Sequence, residues 1–422
     1  MHITAHLDLT AVPFDQDDEV TLMLEIAAPP PATGDRPPAT VQVVLDRSGS
    51  MGGPRLAGAQ RALLGLVDRL GPADNFGLVS FSDSARVELP AGPLAHKAAA
   101  KRTIEALRPM GSTDLSSGLL RGIQEARRVA DERSATLLLI SDGHANEGIV
   151  NHELLADIAR DAHQHGVTTT ALGYGLDYDE RLMAAIADGG AGSSLHATEA
   201  DTAVQLIASE VGVLLSKVVQ AASLTITPRA AISGLRLYGD LPCTQRADGA
   251  VVTELGDFYG GETRKLLIRM PVAGMAVLGL ATVAELELTY VESRTLTTYT
   301  VTVPVSVNVV PGDQAAGRIP DPIVRAEQLF HDAQEAKRRA SDALLRGDVN
   351  AAETILNAAG DALERSLAWA PNVDEALAEM EKLRKHALEA RHDAARISKQ
   401  VRSEWHTRTR KRGRSYDDRE GG

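Results

Sequence analysis

The sequence predicts an α/β domain with a doubly wound, mostly parallel sheet, inserted into a β-sandwich and followed by a helical C-terminal region. Three textures carry this reading. From 40 to about 215, short continuous apolar runs alternate with helical patterns, the signature of strands covered on both faces. From about 217 to 310 the helical patterns stop, and evenly spaced strand patterns with Gly and Pro turns replace them, as in a sandwich. From about 320 onward the pattern is helical.

The first strands are expected at 3–11 and 19–28, where Glu19-Val20-Thr21-Leu22-Met23-Leu24-Glu25-Ile26 alternates with period two. The stretch from Pro29 to Pro38 reads as a linker or long loop, because its prolines cannot donate to a ladder. The apolar runs Val41–Leu45, Phe76–Phe81, Thr136–Ile140, Val167–Leu172 and Ser194–Ala197 follow as strands, with Arg86–Leu89 as a short antiparallel edge. Helices are expected at 55–70, 96–108, 115–131, 151–165, 179–188 and 200–216. Further strands are expected at 219–227, 233–238, 250–255, 263–270, 279–291 and 295–309. An isolated hairpin is marginal in water, so the N-terminal strands should pair with these later ones. Asp321 and Pro322 read as the N-cap and first turn of a helix. A second helix covers 349–368, and a third runs from Pro371 through the 390s, giving a bundle or hairpin. The expected division is 1–32 with 217–312 as sandwich, 38–216 as α/β domain, 318–412 as helical domain and 413–422 as disordered tail.

Composition excludes several classes. With 422 residues, 44% of them hydrophobic, the chain can bury a sizeable core and does not read as disordered. The lone Cys243 rules out a disulfide framework. No run approaches the ~20 apolar residues that span a bilayer. The first residues lack a basic and then apolar leader, and with the single cysteine this points to the cytoplasm. The net charge of −13 is uneven: residues 396–414 hold eight Lys or Arg against Glu404, or +7, leaving −20 elsewhere.

The chemistry concentrates in three segments. Asp46-Arg47-Ser48-Gly49-Ser50 follows the apolar run 41–45 directly, so its acid and hydroxyls should stand at the carboxyl edge of the sheet, where open α/β sheets bind ligands. Gly111-Ser112-Thr113-Asp114 precedes a helix, and Ser141-Asp142-Gly143 follows a strand. Asp46, Ser48, Ser50, Thr113 and Asp142 can therefore converge from three loops. Such oxygen donors suit a hard divalent cation, which for Mg²⁺ means near-octahedral coordination with water retained. Each residue alone could instead cap a helix or form a turn.

With this order and spacing, residues 40–215 strongly resemble a von Willebrand factor A domain. The family's metal-ion-dependent adhesion site has the pattern D-x-S-x-S, then T, then D. The resemblance implies that Ser48, Ser50 and Thr113 bind Mg²⁺ directly, with Mn²⁺ or Ca²⁺ as alternatives. It implies that Asp46 and Asp142 usually act through water, or that one of them binds directly as the site changes state. One coordination position would remain for an Asp or Glu carboxylate from a protein partner. The wider layout resembles the inter-alpha-trypsin inhibitor heavy chains and related bacterial A-domain proteins. A binding module, not an enzyme, is the expected function. The alternatives are a scaffold in which the metal is only structural, and a nucleic-acid-associated protein using the basic segment 396–414.

Other signals are weaker. His144 reads as a solvated loop residue, and His163 and His165 as complements to a helix dipole. Trp369 and Trp405 read as packing residues. No phosphate-binding G-x-x-x-x-G-K-[ST] string and no G-x-S-x-G elbow occurs.

Overall fold

The computed structural model describes residues 1–366 other than 31–35, 131–133, 143–144, 176–177, 198–199, 240, 242 and 347. Strand β1 (His2–Leu7) is followed by the short β2 (Ala11–Pro13) and by β3 (Asp18–Ala27). β1 runs antiparallel to β3, with Ile3 opposite Ile26. The single strand expected at 3–11 is divided instead. Oδ1 of Asp8 accepts hydrogen bonds from the backbone N–H of Leu9 at 2.8 Å and of Thr21 at 2.6 Å, fixing a turn between β1 and β2.

The α/β part comprises β4 (Thr40–Asp46), α1 (Pro54–Arg69), β5 (Asn75–Phe81), β6 (Ala85–Pro93), α2 (Lys97–Ala106), α3 (Leu115–Val129), β7 (Ala135–Ser141), α4 (His152–Gln164), β8 (Val167–Tyr174), α5 (Glu180–Gly189), β9 (Ala191–Ala197) and α6 (Ala200–Leu214). Among the described residues its sheet has the order β6-β5-β4-β7-β8-β9, with neighbours parallel except β5 and β6. Every residue of β4, β7 and β8 is buried, which explains the unbroken apolar runs. One face carries Val43, Leu45, Leu63, Leu66 and Ile140, and the other carries Val44, Leu119, Ile123 and Leu139. Gly122 lets α3 ride close to the sheet, since a Cβ there would fall 2.2 Å from a methyl of Val44. After β4 the chain places β5 on one side and later β7 on the other. That reversal opens a crevice at the carboxyl ends of β4 and β7.

Next come β10 (Lys217–Pro228), β11 (Arg236–Leu237), β12 (Cys243–Gln245), β13 (Val251–Tyr259), β14 (Thr263–Val272), β15 (Gly279–Glu292) and β16 (Thr298–Val310). They form two sheets with the N-terminal strands, in the orders β1-β3-β14-β11 and β12-β13-β10-β15-β16-β2. β3 pairs antiparallel with β14, Leu24 facing Leu266. Leu22, Leu24, Ile26 and Ile268 of one sheet share a core with Leu224, Ile226, Leu286 and Val307 of the other. β12 was absent from the sequence reading because all three of its residues are exposed, so it has no buried face to give an alternating pattern. The strand expected at 233–238 shortens to two residues.

α7 (Gly312–Ala316) leads to α8 (Pro322–Leu345) and α9 (Val349–Ser366). Asp321 caps α8, its carboxylate accepting from the N–H of Ile323 at 2.8 Å and of Val324 at 3.2 Å. Phe330, Ala340, Leu344, Leu356 and Leu363 pack the two long helices together. Val324 joins Met23 and Leu267 on the four-stranded sheet, and Gln328 Nε2 donates to Thr21 Oγ1 at 2.6 Å. Among the described residues no helix is long and apolar enough to cross a membrane. The expected third helix, Trp369, Trp405 and the basic segment 396–414 lie outside the described residues.

Both connections between the α/β part and the two sheets lie at the amino ends of the parallel strands. Pro38, Thr40, Ser134, Leu214, Lys217 and Ser293 line one small cavity there. Lys217 Nζ donates to Ser134 Oγ at 2.6 Å and faces Asp257 Oδ2 at 3.3 Å. Burial opposes ionisation of Asp257, but Lys217 and His163 outweigh it and hold its carboxyl below the usual carboxylate range. Arg36, just before β4, forks onto Asp74 with one N–H···O distance of 2.7 Å. Asp74 also accepts from the N–H of Ala39 at 2.8 Å and of Gly71 at 2.6 Å. Burial works against its ionisation too, yet Arg36 and these N–H groups win and hold its carboxyl below the ordinary value.

A folded pKa held down means that the Asp74 contribution is present above the unfolded value and is lost as pH falls through the folded one. Asp74→Ala should therefore lower stability by about 2–3 kcal/mol at neutral pH. Urea unfolding of variant and wild type should show that difference shrinking as the pH is taken below the unfolded carboxylate value.

Candidate metal centre

Leu45 pairs with Ile140 in the parallel register of β4 and β7, so Asp46 and Asp142 emerge side by side at the crevice. Both carboxylates are buried, Asp46 at 0% and Asp142 at 1% exposure. Asp46 Oδ1 accepts from the backbone N–H of Ser48 at 2.7 Å, and its Oδ2 accepts from Ser141 Oγ at 2.6 Å. Ser50 Oγ donates to Asp142 Oδ1 at 2.8 Å, and Ser48 Oγ lies 3.0 Å from Ser50 Oγ. Because the Ser50 proton goes to Asp142, the hydroxyls form a chain directed from Ser48 through Ser50 to the carboxylate. Four of the five candidate residues thus form two hydrogen-bonded groups joined through the 46–50 turn.

The hydroxyls are not spent on helix caps. Ser48 precedes the 3₁₀ turn Gly49–Met51 without any side-chain capping bond. The residue that caps α3 is Asp114, which accepts from the N–H of Ser117, and not Thr113. Thr113 is buried and held through its backbone: its N–H donates to Asn146 Oδ1 at 3.2 Å, and its carbonyl accepts from the N–H of Asn146 and Glu147 at 3.3 Å. Its hydroxyl has no hydrogen-bond partner among the described residues. The loop before it is fastened to the β4 turn, with Met110 N–H donating to the Arg47 carbonyl at 2.7 Å and Gly49 N–H to the Gly111 carbonyl at 3.1 Å. Gly111 has φ of 70°, and a Cβ there would fall 2.6 Å from the carboxylate oxygens of Asp83. That carboxylate takes both the N–H and the hydroxyl of Ser112.

Burial is the main reason the Asp46 carboxyl is pushed above its ordinary value. The Ser141 and Ser48 hydrogen bonds pull it down, and the neighbouring Asp142 charge pushes it up again. Two desolvated acids beside two hydroxyls are a donor set that a hard cation would satisfy. Ser48, Ser50 and Thr113 could hold such an ion, with Asp46 and Asp142 orienting the hydroxyls.

Three neighbours were missed by the sequence reading. Arg55, on the first turn of α1, forms an ion pair with Asp142 through Nη1. Ser141 holds Asp46, and Asp83 holds the loop before Thr113. No spacing rule marks any of them, since each acts across strands or loops. His144 lies outside the described residues. His165 ends α4, with Nδ1 2.7 Å from the Asp161 carbonyl, away from this edge.

Comparison with known proteins identifies the α/β part. The model of the von Willebrand factor type A domain matches residues 41–209. An uncharacterized protein of Synechocystis, sll0103, is 31% identical over 172 residues, or 41% of this chain and 40% of the relative. Human inter-alpha-trypsin inhibitor heavy chain H4 is 26% identical over 180 residues, covering 40% of this chain and 19% of that one. The match spans about two-fifths of the first curated relative's length. Among solved structures, a von Willebrand factor type A protein from Catenulispora acidiphila shares the fold over 97% of this chain and 96% of its own, with a TM-score of 0.73 at 17% identity. The ArnB paralog VWA2 from Sulfolobus acidocaldarius covers 97% of this chain and 98% of its own, with a TM-score of 0.62 at 16% identity. Residues 41–209, with their central parallel sheet and the crevice at the ends of β4 and β7, are a von Willebrand factor type A domain.

Proposed function

We propose that this chain is a divalent-metal-dependent protein-binding module and not an enzyme. A Mg²⁺ ion held by Ser48, Ser50 and Thr113 would offer one coordination position to an Asp or Glu carboxylate of a partner protein. The observation that carries this reading is the hydrogen-bonded chain from Ser48 through Ser50 to the buried Asp142, set beside the buried Asp46. Neutral hydroxyls nearest the ion leave its charge poorly cancelled, and that residual charge is what attracts a carboxylate. The inter-alpha-trypsin inhibitor heavy chains and the Catenulispora protein are the relatives that support a domain of this type.

A second reading is a scaffold in which the metal only braces the loops. It rests on Val277, Leu278 and Leu280, which stand exposed around the start of β15 on the sandwich, well away from the α/β sheet. A clustered exposed apolar surface of this kind marks a contact site more often than chance solvation does. Partner capture that persists in chelator and in a Ser48→Ala/Ser50→Ala variant would favour the scaffold.

The same double variant should weaken Mn²⁺ binding by at least roughly tenfold, measured by titration calorimetry, while leaving the circular dichroism spectrum unchanged. Asp46→Asn should behave differently in stability. Because the Asp46 pKa is raised on folding, its ionised form weighs against the metal-free fold, and stability falls as pH rises from the unfolded value through the folded one. In chelator, Asp46→Asn should melt no lower than wild type at neutral pH and should lack that fall. Mg²⁺ should raise the melting temperature of wild type and leave that of the variant in place.

A further inference from the structure

Arg47 stands in the chain between Asp46 and Ser48, but it serves neither. It lines a cleft of about 500 Å³ together with Arg86, Glu88, Arg102, Thr103 and Leu107. The strand register brings this cleft to the metal edge: Leu45 pairs with Ser80, and Ser80 pairs with Arg86. Helix α2 supplies Arg102 and Thr103 as the opposite wall.

Three guanidinium groups meet one carboxylate here. Glu88 accepts from Ser80 Oγ at 2.8 Å and lies 3.7 Å from Arg86 Nε, so its charge is committed to the strand side. Among the described residues the guanidinium groups of Arg47 and Arg102 have no ion-pair or hydrogen-bond acceptor. Arg47 is half-buried, and its Nε is sealed from solvent with no partner among the described residues. A buried donor without an acceptor is costly, and the guanidinium fork is matched to carboxylates and phosphates. Asp83 and Glu147, both within hydrogen-bond distance of Ser112, belong to the loop that is fastened to the Arg47 turn through Met110. The three guanidinium groups, against the one carboxylate of Glu88, leave the cleft with an excess of positive charge that draws an acidic ligand.

We propose that this cleft is an oxyanion site, and that it takes a second acidic side chain of the partner whose first carboxylate sits on the metal. The second half of the proposal rests on the metal-dependent reading above. Two anchors on one partner raise the effective concentration of each for its own site.

The test uses the full chain and three probes: inorganic phosphate, a blocked peptide with one glutamate, and blocked peptides with two glutamates joined by short glycine spacers. Calorimetric titration in chelator isolates the cleft. Phosphate should bind saturably there, and Arg47→Lys and Arg102→Glu should each weaken it by roughly tenfold. Arg102 lies on the exposed face of α2, so its variant stays folded even if Arg47 proves sensitive. Absence of saturable binding, or binding indifferent to both substitutions, overturns the oxyanion site and leaves the metal reading intact. In Mg²⁺ a two-glutamate peptide should bind roughly tenfold tighter than the one-glutamate peptide, and the advantage should vanish in Arg102→Glu. Phosphate binding without that advantage overturns the acidic partner group and assigns the cleft to a free phosphate ligand. One-glutamate binding that ignores Mg²⁺ would instead sink the metal reading.

Discussion

Asp46 ends a central strand of a mostly parallel sheet at a point where water does not reach it, and Asp142 directly follows the strand beside it. Two carboxylates desolvated side by side are an unfavourable arrangement, and the surrounding structure answers it. Ser141 and the N–H of Ser48 hold one acid, while Ser50 and Arg55 hold the other. Each holder is fixed by a neighbouring element: Ser48 and Ser50 by the turn into α1, Ser141 by β7, and Arg55 by the first turn of α1. Arg55 balances Asp142, whereas Asp46 has no ion-pair partner among the described residues. A bound cation would relieve that charge more completely than hydrogen bonds can.

The rest of the molecule is arranged around that edge. The sandwich sheets join at the opposite, amino-terminal ends of the strands, through Lys217, Ser134 and Asp257 on one connection and Arg36 with Asp74 on the other. α8 docks on the outer face of the four-stranded sheet, with Val324 against Met23 and Leu267. Among the described residues neither the sandwich connections nor α8 lies at the carboxyl edge. Beside it Arg47, Arg86 and Arg102 gather around one cleft with Glu88 as its carboxylate.

Much of this was legible in the sequence, for physical reasons. β4, β7 and β8 are buried on both faces, and only continuous apolar runs fold that way. The five candidate residues could be named because strand ends dictate where an Asp or Ser following an apolar run must stand. Arg55, Asp83 and Arg47 could not be read in the same way, since their partners lie on other elements and depend on register. β12 escaped because an exposed edge strand leaves no pattern, and the split between β1 and β2 escaped because Asp8 turns the chain through a hydrogen bond to Thr21.

The paired connections at the base have a mechanical consequence. The chain enters the α/β part near Thr40 and leaves it near Lys217, and both points border one small cavity beside Ser293. A load applied by a partner at the carboxyl edge and resisted by the sandwich runs along the strands, from Asp46 down β4 to its entry point. Force in that direction shears whole ladders of hydrogen bonds together, whereas a load across the strands would peel them one at a time. The fold would therefore resist a pull along its strands more strongly than one across them.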